Sequence, residues 1–130
     1  MHQTLLPEGW PRPSGFANGI SAQGQRTLYI GGQIGWTPQG TFETSDFVEQ
    51  VQQSLENVKA VLAAGGAGPE HMVRMTWYIT DKQAYTNNLR GIGAAYREVM
   101  GKNFPAMSVV QVTELVEDEA LVEIEVTAVV

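Results

Sequence analysis

Few side chains in this sequence can move a proton or hold a metal, and they stand far apart. Cysteine is absent and the histidines are two, His2 and His71. Thiolate catalysis, iron–sulfur clusters, Cys-type zinc sites and disulfide scaffolds are therefore excluded. Two histidines cannot build a three-ligand zinc site without carboxylates, and His2 lies in a terminus expected to fray, so no metal is expected. His71 precedes a strand and is the best imidazole base on offer. No serine stands in a nucleophile-elbow context, however, and an exposed loop histidine is the plainer reading. Carboxylate chemistry remains. Glu123 sits in mid-strand between Val122 and Ile124, and a carboxylate held beside an apolar strand core is a candidate general acid or base. A glutamate facing water is the equally simple alternative. Trp10, Trp36 and Trp77 read as core or interface aromatics; Trp36, which opens a turn just after a glycine pair, is the best exception as a ligand platform.

The elements that would position these groups follow from hydrophobic periodicity. Residues 27–34 (TLYIGGQI) are rich in β-branched and aromatic side chains and lead into the turn WTPQG, so they predict a strand that forms an N-terminal hairpin with Gly19–Ala22. Phe47, Val51, Leu55, Val58 and Leu62 recur at helical spacing. Asp46 can cap that helix, with Glu49 three residues on, and Gly65 can supply the left-handed residue that ends it. No Lys-Ser/Thr follows the Gly65–Pro69 stretch, so it is a helix stop and not a phosphate loop. Met72–Thr80 alternates as a strand. A second helix carries Tyr85, Leu89, Ile92, Tyr96 and Val99 and stops at Gly101. Gly91 and Gly93 inside it cost about 1 kcal/mol each relative to Ala, which points to a close approach or to a locally weak helix. Strands at Ala106–Thr113 and Leu121–Val129 close the chain through an acidic, solvated turn at Glu117–Glu119.

The order β-β-α-β-α-β-β predicts an α+β fold, one mixed sheet with two helices on one face and hairpins at both ends. The other face of the sheet, which carries Leu121, Glu123, Glu125, Thr127 and Val129, is half apolar and has no cover within the chain, which suits burial against another subunit.

Composition bounds the function. The chain has 130 residues, 8 Lys+Arg and 14 Asp+Glu, hence a formal net charge of 8 − 14 = −6. That length suits a single domain, residues 1–130, with an ordinary core. The acidic balance and scattered bases oppose nucleic-acid binding. No apolar run approaches the ~20 residues that span a bilayer, and the N-terminus lacks the basic and apolar regions of a secretory signal, so neither membrane insertion nor secretion is expected and the cytoplasm is the default location.

Three stretches, GGQIGW, SLENVKAVLAAGGAGPEHMVRMTWYITD and FPAMSVVQVTELVEDEALVEIEVTAV, together resemble the Rid family of reactive intermediate deaminases, also called the YjgF family, over about Gly15 to Ala128. The resemblance implies a chorismate mutase-like fold and a homotrimer with three small-molecule clefts between subunits. It also implies hydrolysis of enamines or imines to ketoacids and ammonia by water, with no cofactor. It implies that Glu123 is the family glutamate that orients the water, and that Gly32 and Gln33 are the family Gly-Gln turn, with Gly31 where serine is usual. Phe16 stands at the family tyrosine position and Gly93 at that of a helix asparagine. In Pro105-Ala106-Met107-Ser108, Met107 occupies the place of the arginine that grips the substrate carboxylate.

A thioether supplies neither charge nor a donor, and losing a charge-assisted contact in a cleft costs several kcal/mol. Ordinary 2-iminoacids are thus expected to bind poorly unless Arg12, Arg26 or Arg74 enters the cleft by another route. The small residues Gly31 and Gly93, with Phe16, Met107 and Trp36 nearby, point to a larger, more apolar ligand. Two functions stay open: a hydrolase of altered substrate range, and a non-catalytic binding or sensing trimer. Ribonuclease action, sometimes attached to this family, is opposed by the charge and by the lack of a histidine pair.

Overall fold

In the computed structural model, which describes residues 2–130, the strands are β1 (Gln3–Leu5), β2 (Gly19–Ser21), β3 (Thr27–Ile34), β4 (Met72–Ile79), β5 (Ala106–Gln111) and β6 (Val122–Val129). The helices are α1 (Phe47–Ala64), α2 (Lys82–Thr86) and α3 (Leu89–Met100), and a single 3-10 turn, Pro69–His71, precedes β4. The longest apolar stripe makes the longest helix. Val51, Leu55, Val58 and Leu62 of α1 are fully buried, and each burial stabilises the fold by about 1.5–3 kcal/mol. Asp46 caps the helix by accepting from the Glu49 N–H at 3.0 Å. The left-handed residue at its end is Gly66, at φ +76°, and not Gly65.

The expected second helix is split in two. The Asn88 side chain donates to the Ala84 carbonyl at 2.7 Å, satisfying an orphan acceptor at the end of α2, and α3 then starts afresh. Ile92, Tyr96 and Val99 keep the buried stripe, while Leu89 is 56% exposed. Its stop, Gly101, has φ +66°.

A four-stranded mixed sheet has the order β3-β6-β4-β5, with β6 antiparallel to both of its neighbours and β4 parallel to β5. Neither expected hairpin forms. At the C-terminal end β6 inserts between β3 and β4, so β5 and β6 are not neighbours. At the other end β2 pairs with β1 in a separate two-stranded sheet, because the chain before β3 turns toward β5, where Ala17 bridges Ala106 and donates to the Pro105 carbonyl at 3.0 Å. His2 is not frayed: its Nε2 lies 2.9 Å from the Val129 carbonyl and 3.2 Å from that of His71.

Strand alternation gives the sheet two unlike faces. Met75, Trp77 and Ile79 of β4 and the alternate residues Val122–Ala128 of β6 form the core under α1 and α3. Leu121, expected on the opposite face, lies outside β6 and packs against this core. The opposite face carries Tyr29, Thr76, Tyr78, Ser108, Val110, Glu123 and Glu125, and Tyr29 is 81% exposed. Among the described residues no helix is long and apolar enough to cross a membrane.

Candidate functional site

Glu123 is half-buried in the middle of β6 on this open face. Across from it the pairing of β3 with β6 slips between Ile30 and Gln33, a bulge that falls on the Gly31–Gly32 pair. The carboxylate fills the space a side chain at Gly32 would need: a Cβ there would lie 2.6 Å from Glu123 Cδ and 2.8 Å from its Cγ. Glycine at 32 is therefore the condition for Glu123 to adopt this position. A Cβ on Gly31 meets nothing within 4 Å. Gln33 reaches back to the Gly31 carbonyl, Nε2 to O 3.3 Å. Among the described residues Glu123 takes no hydrogen bond from a neighbouring side chain, which leaves the carboxylate free to bind water or a ligand.

Two amides of α1 anchor the loops around this bulge. Asn57 Nδ2 donates to the carbonyls of Ile34 (3.0 Å) and Trp36 (2.8 Å). Gln50 is fully buried, donates to the Thr44 and Glu119 carbonyls, both at 3.0 Å, and accepts from the Leu121 N–H at 2.9 Å. Gly35 allows this packing, since a Cβ there would come within 2.6 Å of Gln50 Cβ.

On the helix side of the sheet, β5, α3 and the segment that leads into β2 enclose a cavity of about 1290 Å³. Its floor is apolar: Met107 and Val109 alternate along β5 beside Trp77, while Tyr85 meets Trp77 edge-on with ring centroids 6.0 Å apart. Burial pushes the Tyr85 phenol above its ordinary range. α3 contributes Leu89, Ile92, Gly93, Tyr96 and Arg97, one helical face. A Cβ on Gly93 would meet nothing within 4 Å, and Gly91 faces Val48 instead, at 3.4 Å. Gly93 is thus an opening in the wall, and Gly91 the close approach.

The expected site residues accordingly fall into two groups. Phe16, Gly93 and Met107 line the cavity. Glu123, Gly31, Gly32 and Gln33 gather at the bulge, and Ser108, paired with Thr76, lies on the open face. Trp36 is not near Met107; it stacks at a tilt on Phe42 in a smaller hollow of about 400 Å³ with Glu117–Glu119. Arg26 is engaged with the Gly65 carbonyl at 3.0 Å, and Arg74, in register with Ala106, belongs to the open face. Arg12 does line the cavity, and so do Arg97 and Lys102, neither of which the sequence reading named. The signal for Arg97 was present: it lies four residues after Gly93, on the same helical face. Among the described residues no group of three or more His, Asp or Glu side chains could hold a metal ion.

Known proteins resemble this chain in sequence and in fold. A family model described as endoribonuclease L-PSP matches residues 14–130. The human 2-iminobutanoate/2-iminopropanoate deaminase is 31% identical over 105 residues, covering 80% of this chain and 73% of that protein. Among solved structures, YyfB of Yersinia pestis, described as a protein of the conserved Rid family, superposes with a TM-score of 0.88 at 33% identity, covering 99% of this chain and 98% of the other. Escherichia coli TdcF with bound serine superposes at 0.69 and 30% identity, with 98% of each chain covered.

Proposed function

The chain belongs to the Rid family, the family of the endoribonuclease L-PSP model, and from that membership we propose that it is a small-molecule hydrolase of the imine-deaminase kind with an altered substrate range. One observation carries this reading. Gly32 and the β3 bulge leave room for one carboxylate, that of Glu123, on a rigid strand and without a competing partner. A glutamate held so can accept a proton from water as the oxygen attacks the carbon of a C=N bond and return it to nitrogen to give a carbinolamine, then carry the hydroxyl proton to nitrogen as ammonia leaves and the carbonyl forms. A relative named for deamination of 2-imino acids and one solved with bound serine support small-molecule chemistry on this fold.

The separation of the two residue groups supports a cleft completed between subunits. Glu123 faces the open side of the sheet while Phe16, Gly93 and Met107 face the other, so Glu123 can reach the mouth of the Met107 cavity only from a neighbouring copy. A homotrimer, with the open sheet faces turned inward, provides that neighbour and covers Tyr29 and Val110. The acidic net charge of −6 opposes RNA as the substrate despite the name of the family model.

The floor of Met107, Val109 and Trp77 favours an imine with a bulky apolar side chain over a small one. Ammonia release should therefore be measured from imines generated in situ from phenylalanine and from serine, with the parent and with Met107→Arg. We expect the parent to favour the phenylalanine imine and Met107→Arg to gain activity on the serine imine. A second reading, a binding trimer without turnover, is favoured by the loss of the arginine at Met107; absence of turnover on both imines by both proteins would establish it.

A further inference from the structure

The cavity collects positive charge in a protein that is otherwise acidic. Three of the chain's eight basic residues, Arg12, Arg97 and Lys102, line it, against Glu70 alone of fourteen acids. They arrive from three separate segments: the N-terminal loop, the last turn of α3 and the loop that follows it. Each is exposed, and among the described residues none forms an ion pair; Glu70 lies 3.9 Å from His71 Nδ1 instead. His2 also borders the cavity, with its ring engaged by main-chain groups of Val129, His71 and Gln23. Rim cations around an apolar floor match one kind of molecule: an anion with an apolar body, its charge outward and its body against Met107 and Trp77.

We propose that Arg12 and Arg97, with Lys102 adding to the positive charge at the cavity, bind the carboxylate of a ligand whose aromatic or branched apolar part occupies the floor. The inference rests on the reading of this cavity as the ligand site and adds the ligand's class and orientation. The ligand that suits both rim and floor is an acid whose carboxylate is set apart from its apolar part. An exposed guanidinium alone holds a small anion weakly, so charge and apolar body must act jointly.

The test is calorimetric titration of the intact protein with three probes: 4-phenylbutyrate, its neutral counterpart 4-phenylbutan-1-ol, and acetate. We expect 4-phenylbutyrate to bind at least tenfold more tightly than the alcohol and acetate not to bind measurably. Raising salt should weaken the acid and not the alcohol. In Arg12→Ala/Arg97→Ala the preference for the acid should vanish while alcohol affinity is kept; Lys59→Ala, on the outer face of α1, controls for loss of net charge. Both arginines are exposed, so the variant should fold, and an unchanged Tm verifies that. Equal affinity for acid and alcohol in the parent, an undiminished preference in the double variant, or no binding of either would each overturn the proposal. The hydrolase reading fails separately: arginine-dependent binding of 4-phenylbutyrate without turnover of any imine refutes catalysis and leaves this site standing. Imine turnover indifferent to both arginines does the reverse.

Discussion

Tyr78 donates its hydroxyl to Glu125 Oε1 at 2.7 Å across the β4–β6 pair, and this contact separates two glutamates that share one strand face. Glu125 is exposed and engaged; Glu123, two residues earlier, is half-buried and unengaged. The hydrogen bond to Glu125 also raises the Tyr78 phenol above its usual range. Glu123→Gln should lower any imine turnover by about 100-fold or more, the scale of general acid–base catalysis, with ligand affinity kept. Glu125→Gln should change turnover by far less and lower the Tyr78 titration midpoint, read by absorbance at 295 nm.

The glycines of the bulge should respond in opposite ways. Gly31→Ser places its side chain in open space and should shift stability by no more than about 0.5 kcal/mol. Gly32→Ala must displace the Glu123 carboxylate and should reduce turnover nearly as far as Glu123→Gln. Paired melting curves and rate measurements on the two variants check this.

Removal of the Gln50 amide should be costly. Gln50→Leu leaves the half-buried Leu121 N–H and the Thr44 and Glu119 carbonyls without their partner, and each group that water cannot reach costs about 1–3 kcal/mol. Urea denaturation should show a loss of several kcal/mol, concentrated in a lower midpoint with little change in slope.

Tyr96 supplies a pH signature. Burial pushes its phenol far above the ordinary value of 10.0, and its hydroxyl donates to the Asn103 carbonyl. A folded state that keeps the proton while the unfolded chain releases it gives stability that is complete below pH 10 and is lost as the pH climbs toward the raised pKa. Urea midpoints measured from pH 8 upward should fall above pH 10. Tyr96→Phe, less stable at pH 8 through loss of that hydrogen bond, should show a shallower alkaline decline.

The open sheet face predicts the assembly state. Tyr29 at 81% and Val110 at 43% exposure should be covered in a trimer, so sedimentation equilibrium should return three times the chain mass at micromolar concentration. A monomer there would remove the intersubunit cleft. Tyr29→Glu should dissociate the trimer and abolish turnover together.

What could be read from the residues was whatever periodicity encodes. The α1 stripe from Phe47 to Leu62 and the alternation in β4 and β6 give element and face directly, because each is a local consequence of burial. Strand neighbours are not local. Nothing near Val122 says that β6 must separate β3 from β4, so hairpins between sequence neighbours were the natural and mistaken expectation. The capture of Ala17 by Ala106, which redirects β2 toward β1, is invisible for the same reason. Glu123 and Gly32 were each named, separately, through the family resemblance, and their steric interdependence appears only once the bulge is seen. Of the cations at the cavity, Arg12 was named as one of three arginines that could enter, Arg97 was missed although it shares the helical face of Gly93, and Lys102 lies in a loop with no period from which a direction could be read.

The place of β6 in the sheet fixes the order of events as the chain is made. This strand is synthesised after every other strand described, yet it supplies the only partner of β3 in the sheet and the antiparallel partner of β4, with Thr27 aligned to Val129. A nascent chain that has not yet reached β6 can form α1 and the parallel β4–β5 pair, but β3 is left as an unpaired apolar strand. Closure joins residues about a hundred positions apart, a contact of high order that slows folding and lengthens exposure of that edge. Arrival of β6, and not of any earlier element, is therefore the step that commits this protein to its fold.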